Sequence, residues 1–154
     1  MKEENSDIAF NWFRLGNPLK LMLRALFFEI IKLMPPTHLK NFLYGLCGVK
    51  IGKNVAIGPN VIIDPLFPRS ISIGDNTIIG WGAKIFAHEY TLKNFRNNPV
   101  KIGRSVLVGA FSHIKQGIKI GDNSIVCAES YVNKNVPQNT MVGGVPAKLI
   151  RRLK

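Results

Sequence analysis

The chain has 154 residues, 46% of them hydrophobic, so it is long enough to form one ordinary domain with a buried core. Its formal net charge of +12 at pH 7 favours partners that carry phosphate or other negative charge. The two cysteines, Cys47 and Cys127, have neither CxxC nor CxxH spacing, which argues against a disulfide framework and a zinc site. The N-terminal sequence MKEENSDIAF lacks the basic-then-apolar order of a secretory signal.

The first predicted element is an amphipathic helix over residues 18–34, PLKLMLRALFFEIIKLM, which is too short and too charged to span a bilayer. Pro35 and Pro36 end it, and Thr37 can cap a second helix that leads into the coils. The apolar face has two competing roles: it packs over the open end of the following repeats, or it lies in a membrane interface with help from basic residues. Its breadth favours the interface. The face comprises Leu19, Met22, Leu23, Leu26, Phe27, Ile30, Leu33 and Met34.

From residue 51 onward, an aliphatic residue recurs at every sixth position. This period does not fit one helix face, which needs 3.6 residues per turn, but it fits a short strand and a turn repeated around a coil. Gly after the aliphatic residue and Asn soon after it favour turns, because both tolerate positive φ. Three such units predict a triangular coil with the aliphatic residues stacked in its core. The sets are Ile51, Ile57, Ile63; Ile73, Ile79, Ile85; Ile102, Val108, Ile114; and Ile120, Val126, Val132.

The six-residue count is interrupted twice. After Ile85 the next aliphatic position would be residue 91, but the count resumes only at Ile102. Insertions into repeat coils project as loops from one face, which is often the binding face. A smaller insertion, DPLFPRS, lies between Ile63 and Ile73, and its two prolines predict a rigid corner.

The C-terminal part resembles a known enzyme family. Residues 99–153, PVKIGRSVLVGAFSHIKQGIKIGDNSIVCAESYVNKNVPQNTMVGGVPAKLIRRL, are similar to the C-terminal half of the galactoside, maltose and nodulation sugar O-acetyltransferases. These belong to the left-handed β-helix acyltransferases with hexapeptide repeats, and the segments IGDNS, VPQN and GGVPAK carry the resemblance. It implies an all-β fold, with a left-handed parallel β-helix over residues 48–154 and an inserted loop at 86–101. We also expect an amphipathic helical appendage over 1–47 and a C-terminal helical turn.

The resemblance implies that His88 is the catalytic base. Moving an acetyl group from a thioester to an alcohol requires removal of the hydroxyl proton, and imidazole is a suitable base near neutral pH. Its other ring nitrogen needs an orienting partner. Because Glu89 points to the opposite side of an extended strand, we expect a backbone carbonyl in this role. The loop also supplies the candidate acceptor contacts, which are Glu89, Tyr90, Phe95 and Arg96.

By the same resemblance, the backbone N–H of Ala110 stabilises the oxyanion. Relatives often carry serine there and tryptophan at Leu107, so the acceptor pocket and cofactor tunnel differ here. No basic neighbour in sequence activates Cys127, so we expect direct transfer in a ternary complex.

The resemblance implies acetyl-CoA as co-substrate, with no metal, bound in a groove between two subunits of a homotrimer. Arg151 is expected to meet its nucleotide phosphates. The other residues expected to bind it are Ala110, Ala128, Asn133, Lys134, Gly144, Val145, Pro146 and Lys148.

Together these features predict a CoA-dependent O-acetyltransferase that modifies a sugar hydroxyl in cell-envelope polysaccharide synthesis. The helical appendage favours a lipid-linked acceptor and peripheral contact with an anionic membrane through residues 18–47. We therefore expect a cytoplasmic protein on the inner face of the cell membrane that does not bind nucleic acid.

Three alternatives stay open. A serine or amino-sugar N-acetyltransferase has the same fold, and amine acceptors would distinguish it. A gamma-class carbonic anhydrase shares the β-helix but needs three histidines around zinc, whereas His38 lies in the appendage and His88 and His113 form no close pair. We expect His113 to face outward at the surface. A non-catalytic binding protein is the third, although the basic residues are scattered through turns instead of alternating with exposed aromatics.

Overall fold

The computed structural model describes residues 16–91 and 95–153. It begins with two helices, α1 (Pro18–Leu33) and α2 (His38–Leu46). Thr37 caps α2, since its hydroxyl accepts a hydrogen bond of 3.1 Å from the backbone N–H of Lys40. The second cap is therefore where the sequence predicts it.

Short strands follow and wind as a left-handed parallel β-helix with three faces, which confirms the predicted fold. The first face contains β1 (Lys50–Ile51), β4 (Ile71–Ile73), β9 (Val100–Ile102) and β12 (Lys119–Ile120). The second contains β2 (Ala56–Ile57), β5 (Ile78–Ile79), β10 (Leu107–Val108), β13 (Ile125–Val126), β15 (Thr140–Gly143) and β16 (Lys148–Arg152). The third contains β3 (Ile62–Ile63), β6 (Lys84–Ile85), β11 (His113–Ile114) and β14 (Tyr131–Val132).

The aliphatic residues of the six-residue count form the core, in the predicted register. On the third face, for example, Ile63 pairs with Ile85, Ile85 with Ile114, and Ile114 with Val132. Every member of the count is buried except Ile51, which is half-buried. Burying one such side chain is worth ~1.5–3 kcal/mol, so the stacked columns are the main source of stability.

The turn residues divide into two roles that the sequence pattern does not separate. Positive φ is adopted by the Asn residues, such as Asn60 and Asn76 at 56°. The Gly that follows each aliphatic residue does not need positive φ. At Gly80, a Cβ atom would lie 2.6 Å from the backbone nitrogen of Ala110 in the next coil. These glycines are therefore required because successive coils approach each other closely.

The helices pack over the first coil through one apolar side. Phe28 and Ile31 of α1 and Tyr44 of α2 belong to the buried core cluster, and Leu21 of α1 is also buried. Lys40 is fully buried, and its Nζ donates hydrogen bonds of 2.8 Å to the carbonyls of Met34 and Gly58. The ammonium thus ties the helical cap to the β-helix.

The apolar face that the sequence predicts for α1 is mostly on the other side, and it is exposed. Leu23 and Leu26 are 57% and 60% exposed. No helix in the described ranges is long and apolar enough to cross a membrane. We define the outer apolar face as Leu19, Met22, Leu23, Leu26, Ile30 and Leu33 of α1 with Leu39, Phe42 and Leu46 of α2.

Two local expectations need correction. The predicted C-terminal helical turn is wrong, because residues Lys148–Arg152 form a strand that pairs antiparallel with β15. The chain reverses direction at Gly144, whose φ of 99° favours glycine. The returning strand then pairs with the backbone N–H and C=O groups at the edge of β15 that would otherwise be unpaired. The predicted loop 86–101 is more regular than expected, since β7 (His88–Tyr90) and β8 (Phe95–Asn97) pair as an antiparallel hairpin.

Candidate active site

His88 is the first residue of β7, and its partner comes from the smaller insertion. Its Nδ1 lies 2.5 Å from Oδ2 of Asp64, whose side chain is fully buried. Asp64 follows β3 directly, and β3 stacks on β6, so both side chains leave the third face at the same edge. A carboxylate that accepts from Nδ1–H leaves the Nε2 lone pair free to take a proton. The orienting group is therefore a carboxylate, and the expected backbone carbonyl is wrong.

Backbone amides hold the Asp64 carboxylate in one orientation. Its Oδ1 accepts from the N–H groups of Leu66 (2.9 Å) and Phe67 (3.3 Å), and its Oδ2 accepts from the N–H of Ala87 (3.0 Å). The donors come from both insertions, so the carboxylate joins the two loops. The DPLFPRS corner thus serves to position the group that orients His88.

Aromatic rings surround the imidazole of His88. The ring centroids of Phe67 and Tyr90 lie 5.6 Å and 5.3 Å from it. Phe95 packs on Phe67 at 5.6 Å and on Tyr90 at 4.8 Å. Two of the residues predicted to contact the acceptor, Tyr90 and Phe95, therefore lie beside His88, where they also hold the hairpin against the insertion.

Glu89 and Arg96 face each other across the hairpin. The Glu89 carboxylate forms an ion pair of 3.0 Å with Lys115 and accepts a hydrogen bond of 3.3 Å from Gln116. The hydrogen bond from Lys115 is the main reason why the pKa of Glu89 lies below its usual value. Arg96 is exposed. Glu89 ties the hairpin to the next coil, and the acceptor roles of both residues stay predictions.

The turns between faces fall along edges of the β-helix, two of which carry the predicted site residues. The His88 edge joins the third face to the first and, within the described residues, comprises the segments 64–70, 86–91, 95–99, 115–118 and 133–135. The Ala110 edge joins the second face to the third through the turns 58–61, 80–83, 109–112 and 127–130. The turn 144–147 connects β15 to β16 within the second face, and it lies along the same edge because Gly144 and Ala147 form hydrogen bonds with Tyr131.

The backbone N–H of Ala110 makes no hydrogen bond within the described part of the chain, although its carbonyl accepts from Glu129 at 2.8 Å. An amide without a partner at a half-buried turn can donate to an oxyanion. Ala110 lies on a different edge from His88, so one chain does not bring the two together.

The residues predicted to bind CoA are divided between the same two edges. Ala128, Gly144, Val145 and Pro146 lie with Ala110 on the Ala110 edge, and Gly144 is fixed there by a hydrogen bond of 3.2 Å to the Ser130 hydroxyl. Asn133 and Lys134 lie on the His88 edge, while Lys148 and Arg151 are on β16.

A groove of about 290 Å³ at the C-terminal end brings some of these residues together. Lys134 and Lys148 line it, together with apolar side chains that include Val142 and Leu149. Arg151 on the same strand as Lys148 is exposed. This end of the molecule therefore combines an apolar groove with basic groups, which suits a phosphorylated ligand.

His113 and Cys127 lie outside the Asp64–His88 pair. His113 faces outward from β11, but it is half-buried between the rings of Phe86 and Tyr131, with centroids 5.6 Å and 5.3 Å away. Burial, followed by the charge of Lys84, lowers the pKa of His113. Within residues 16–91 and 95–153, no three His, Cys, Asp or Glu side chains are grouped to hold a metal ion.

Two stretches of the chain match models of hexapeptide repeats. Residues 99–134 match the bacterial transferase hexapeptide (six repeats), and residues 48–87 match the hexapeptide repeat of succinyl-transferase. The two matches cover the coils on both sides of the inserted hairpin.

Known proteins are similar along most of the chain. YvoF of Bacillus subtilis, a provisionally assigned acetyltransferase, is 39% identical over 133 residues, which are 86% of this chain and 77% of YvoF. The galactoside O-acetyltransferase of Escherichia coli is 32% identical over 77% of this chain and 59% of its own length. The structure of the acetyltransferase VCA0836 of Vibrio cholerae with acetyl coenzyme A is similar with a TM-score of 0.73, at 26% identity, covering 90% of this chain and 92% of that one. The chain belongs to the hexapeptide-repeat acetyltransferase family.

Proposed function

We propose that the protein transfers an acetyl group from acetyl-CoA to a hydroxyl of a saccharide, with His88 as general base. The observation that carries this proposal is the hydrogen bond between Asp64 and His88 Nδ1, which leaves Nε2 as a proton acceptor. The saccharide is supported by the similarity to a galactoside O-acetyltransferase, and acetyl-CoA by the solved complex of VCA0836.

For this reaction the chain supplies a base, a carboxylate that stabilises the protonated base, and a hydrogen-bond donor for the oxyanion. His88 Nε2 removes the hydroxyl proton as the acceptor oxygen attacks, and the imidazolium is stabilised by the buried Asp64 carboxylate. The thioester of acetyl-CoA supplies an activated acetyl group. When the acceptor oxygen bonds to the thioester carbonyl carbon, the backbone N–H of Ala110, which has no partner among the described residues, donates to the carbonyl oxygen that gains negative charge. The C–S bond then breaks, and His88 returns the proton to the leaving thiolate.

The residues present suit acetyl-CoA. The Ala110 edge offers backbone groups and small side chains, including Ala128, against which a pantetheine arm can lie. Lys134, Lys148 and Arg151 place positive charge at the C-terminal end, where phosphates would be bound. The mechanism needs no metal ion.

We further infer that the active unit is a homotrimer with each site between two subunits. His88 and Ala110 lie on different edges of one chain, so a site that uses both groups requires a second copy. His88 of one subunit then meets Ala110 of its neighbour.

The Asp64–His88 pair favours a hydroxyl acceptor over an amine. A hydroxyl is a weak nucleophile until a base removes its proton, whereas a neutral amine attacks without that help. A serine or amino-sugar N-acetyltransferase remains the rival, and its activity would depend less on His88.

The test uses acetyl-CoA with matched hydroxyl and amine acceptors: galactosides, maltose, glucosamine and serine. We expect release of CoA with the sugars and a product whose acetyl group is removed by mild alkali, as an ester is. An alkali-stable product on glucosamine, with no reaction of neutral sugars, would overturn O-acetylation.

We also propose that the outer apolar face rests on an anionic membrane, on the cytoplasmic side, as part of cell-envelope polysaccharide synthesis. Leu23 and Leu26 are each more than half exposed. They lie on a helix whose opposite side packs against the coils. The net charge of +12 complements anionic lipid.

Co-sedimentation with vesicles tests this surface. We expect wild type to bind vesicles that contain phosphatidylglycerol more strongly than phosphatidylcholine vesicles, and Leu26→Glu to abolish most of that binding. Gln138→Glu, at an exposed turn far from α1, adds the same charge and is expected to bind as wild type does. Equal binding by Leu26→Glu and Gln138→Glu would show that the face does not contact lipid.

A further inference from the structure

A second cavity, of about 500 Å³, is lined in part by Phe67, whose ring also packs on His88. It forms where α1, the DPLFPRS insertion and the hairpin meet. Its polar lining comprises Arg24, Arg69, Ser70 and Asn97. We refer to it as the arginine pocket.

The pocket is positively charged. Its lining contains two guanidinium groups and no acidic side chain. Neither Arg24 nor Arg69 forms an ion pair with any residue in the described part of the chain. Two uncompensated guanidinium groups in one concave site favour an anionic ligand.

The side chain of Arg24 is held in place, but not all of its hydrogen-bond donors have partners among the described residues. One Nη2 hydrogen bond, 2.9 Å long, goes to the carbonyl of Leu66 in the insertion. The Nε atom is buried and has no hydrogen-bond partner in the described residues. A buried N–H without a partner costs free energy unless a ligand supplies an acceptor.

The position of Arg69 also depends on local structure. It lies in the short 3-10 turn Pro68–Ser70, and its aliphatic part packs against Gly48. A Cβ atom at Gly48 would lie 2.7 Å from Arg69 Cγ. The absence of a side chain there therefore gives Arg69 its room beside the pocket.

The pocket shares its wall with the candidate active site. Phe67 lines the pocket and packs on His88, and Asn97 pairs across the hairpin with His88. A ligand bound in the pocket would therefore share the Phe67 wall with His88. The Ser70 hydroxyl and the Asn97 amide add neutral hydrogen-bonding groups of the kind that bind sugar hydroxyls.

We propose that the arginine pocket binds a phosphate group carried by the acceptor, with the sugar directed past Phe67 toward His88. This inference rests on the proposed function and adds that the acceptor is a phosphorylated saccharide. The phosphate belongs either to a soluble sugar phosphate or to a lipid-linked sugar. The second source agrees with the position of Arg24 on α1, the helix that carries most of the outer apolar face.

The first test measures binding without turnover. Galactose and galactose 1-phosphate are titrated into the protein by NMR in the absence of acetyl-CoA. We expect the phosphate to improve the affinity of wild type about tenfold or more, because charge-assisted hydrogen bonds to a phosphate are strong. Arg69→Gln should lose this advantage, and Arg69→Lys should keep part of it.

The control is Lys101→Gln, which removes one positive charge from the exposed side of β9. It should retain the full advantage of the phosphate. Equal affinities of the two sugars for wild type, or equal losses in Lys101→Gln and Arg69→Gln, would overturn the proposal. Because binding is measured without acetyl-CoA, a preserved phosphate advantage with no acetyl transfer would support the pocket while refuting the proposed function.

The second test identifies the source of the phosphate. Galactose joined through diphosphate to a short prenyl chain is compared with galactose 1-phosphate as acceptor in neutral detergent. In both cases Arg69→Gln should raise KM about tenfold while kcat changes little. A lower KM for the prenyl acceptor that is lost in Leu26→Glu identifies a lipid-linked substrate, and equal values identify a soluble one. An unchanged KM in Arg69→Gln for both acceptors would contradict the pocket.

Discussion

Asp64 orients the imidazole of His88, the side chain that we propose as the general base. Three backbone amides and the imidazole share its two carboxylate oxygens, so neither the carboxylate nor the ring is free to rotate. The pair therefore fixes both the direction of Nε2 and the tautomer that leaves its lone pair free.

Asp64→Asn tests this role. The amide keeps the size of the carboxylate but cannot stabilise the imidazolium, and its NH₂ favours the wrong tautomer. We expect kcat to fall by about 10²-fold or more, with little change in CoA affinity. Steady-state kinetics and calorimetric CoA binding provide the measurement. A variant with wild-type kcat would show that Asp64 only supports the loops.

At the residue scale, sequence reasoning located His88 but not its partner. The two lie 24 residues apart in separate insertions, and no spacing rule connects them. One sequence feature does connect them: the two insertions follow Ile63 and Ile85, which occupy the same position in consecutive coils. Both insertions are therefore expected to begin at the same edge of the β-helix. Glu89 points away from His88, toward Lys115 and Gln116, as alternation along an extended strand predicts. The orienting group is the distant Asp64, not the backbone carbonyl that we expected.

At the scale of elements, the six-residue count predicted strand register well because every coil repeats it. Because the packing is regular, the position of a residue in the six-residue unit determines whether it lies inside. The stacking of Ile85 on Ile114 could therefore be predicted from the spacing alone. The pattern failed where repetition ended. In α1 both sides are apolar, so periodicity alone could not say that Phe28 and Ile31 would face the coils. The final strand was missed because its pairing depends on the free edge of β15.

Lys40 joins two such elements, and its titration gives a pH prediction. Burial lowers the pKa of Lys40 from 10.5 to about 8 in the folded protein. Between these values the unfolded chain binds more protons on this side chain than the folded chain does. The free energy of unfolding contributed by Lys40 therefore rises with pH across this window.

Lys40→Met removes that contribution. Urea denaturation at pH 8 and at about 9.5 should show a larger gain, or a smaller loss, of stability for wild type than for the variant over this interval. Comparison of the two slopes cancels the other titrating groups. Parallel pH dependence in the two proteins would mean that the carbonyls of Met34 and Gly58 keep the Lys40 pKa near its ordinary value.

At the scale of the whole molecule, His88 and Ala110 lie on different edges of one chain, so the site that we propose, which uses both groups, needs a second copy. Spacing along the sequence does not predict this separation, because the edges of the β-helix are defined only when the coils are wound. The resemblance to sugar acetyltransferases implies a trimer. The separation of His88 and Ala110 on two edges is a physical reason to propose that two subunits share each site.

Mixed oligomers test the shared site. His88→Ala and Ala110→Pro are each expected to be inactive, the second because proline has no N–H to donate. Co-expressed chains should regain partial activity, since some interfaces then combine an intact His88 with an intact Ala110. Size-exclusion chromatography must first show that each variant assembles as wild type does. Two assembled but inactive variants that yield no activity together would place both groups of a site in one chain.

The most direct test of the central claim compares wild type with His88→Ala. Acetyl-CoA consumption is followed with the sugar acceptors, and CoA affinity is measured for both proteins by calorimetry. If His88 is the general base, the variant should bind CoA as wild type does but lose at least about 10²-fold in acceptor-dependent kcat. Sugar acetylation by His88→Ala at the wild-type rate would show that His88 is not the base.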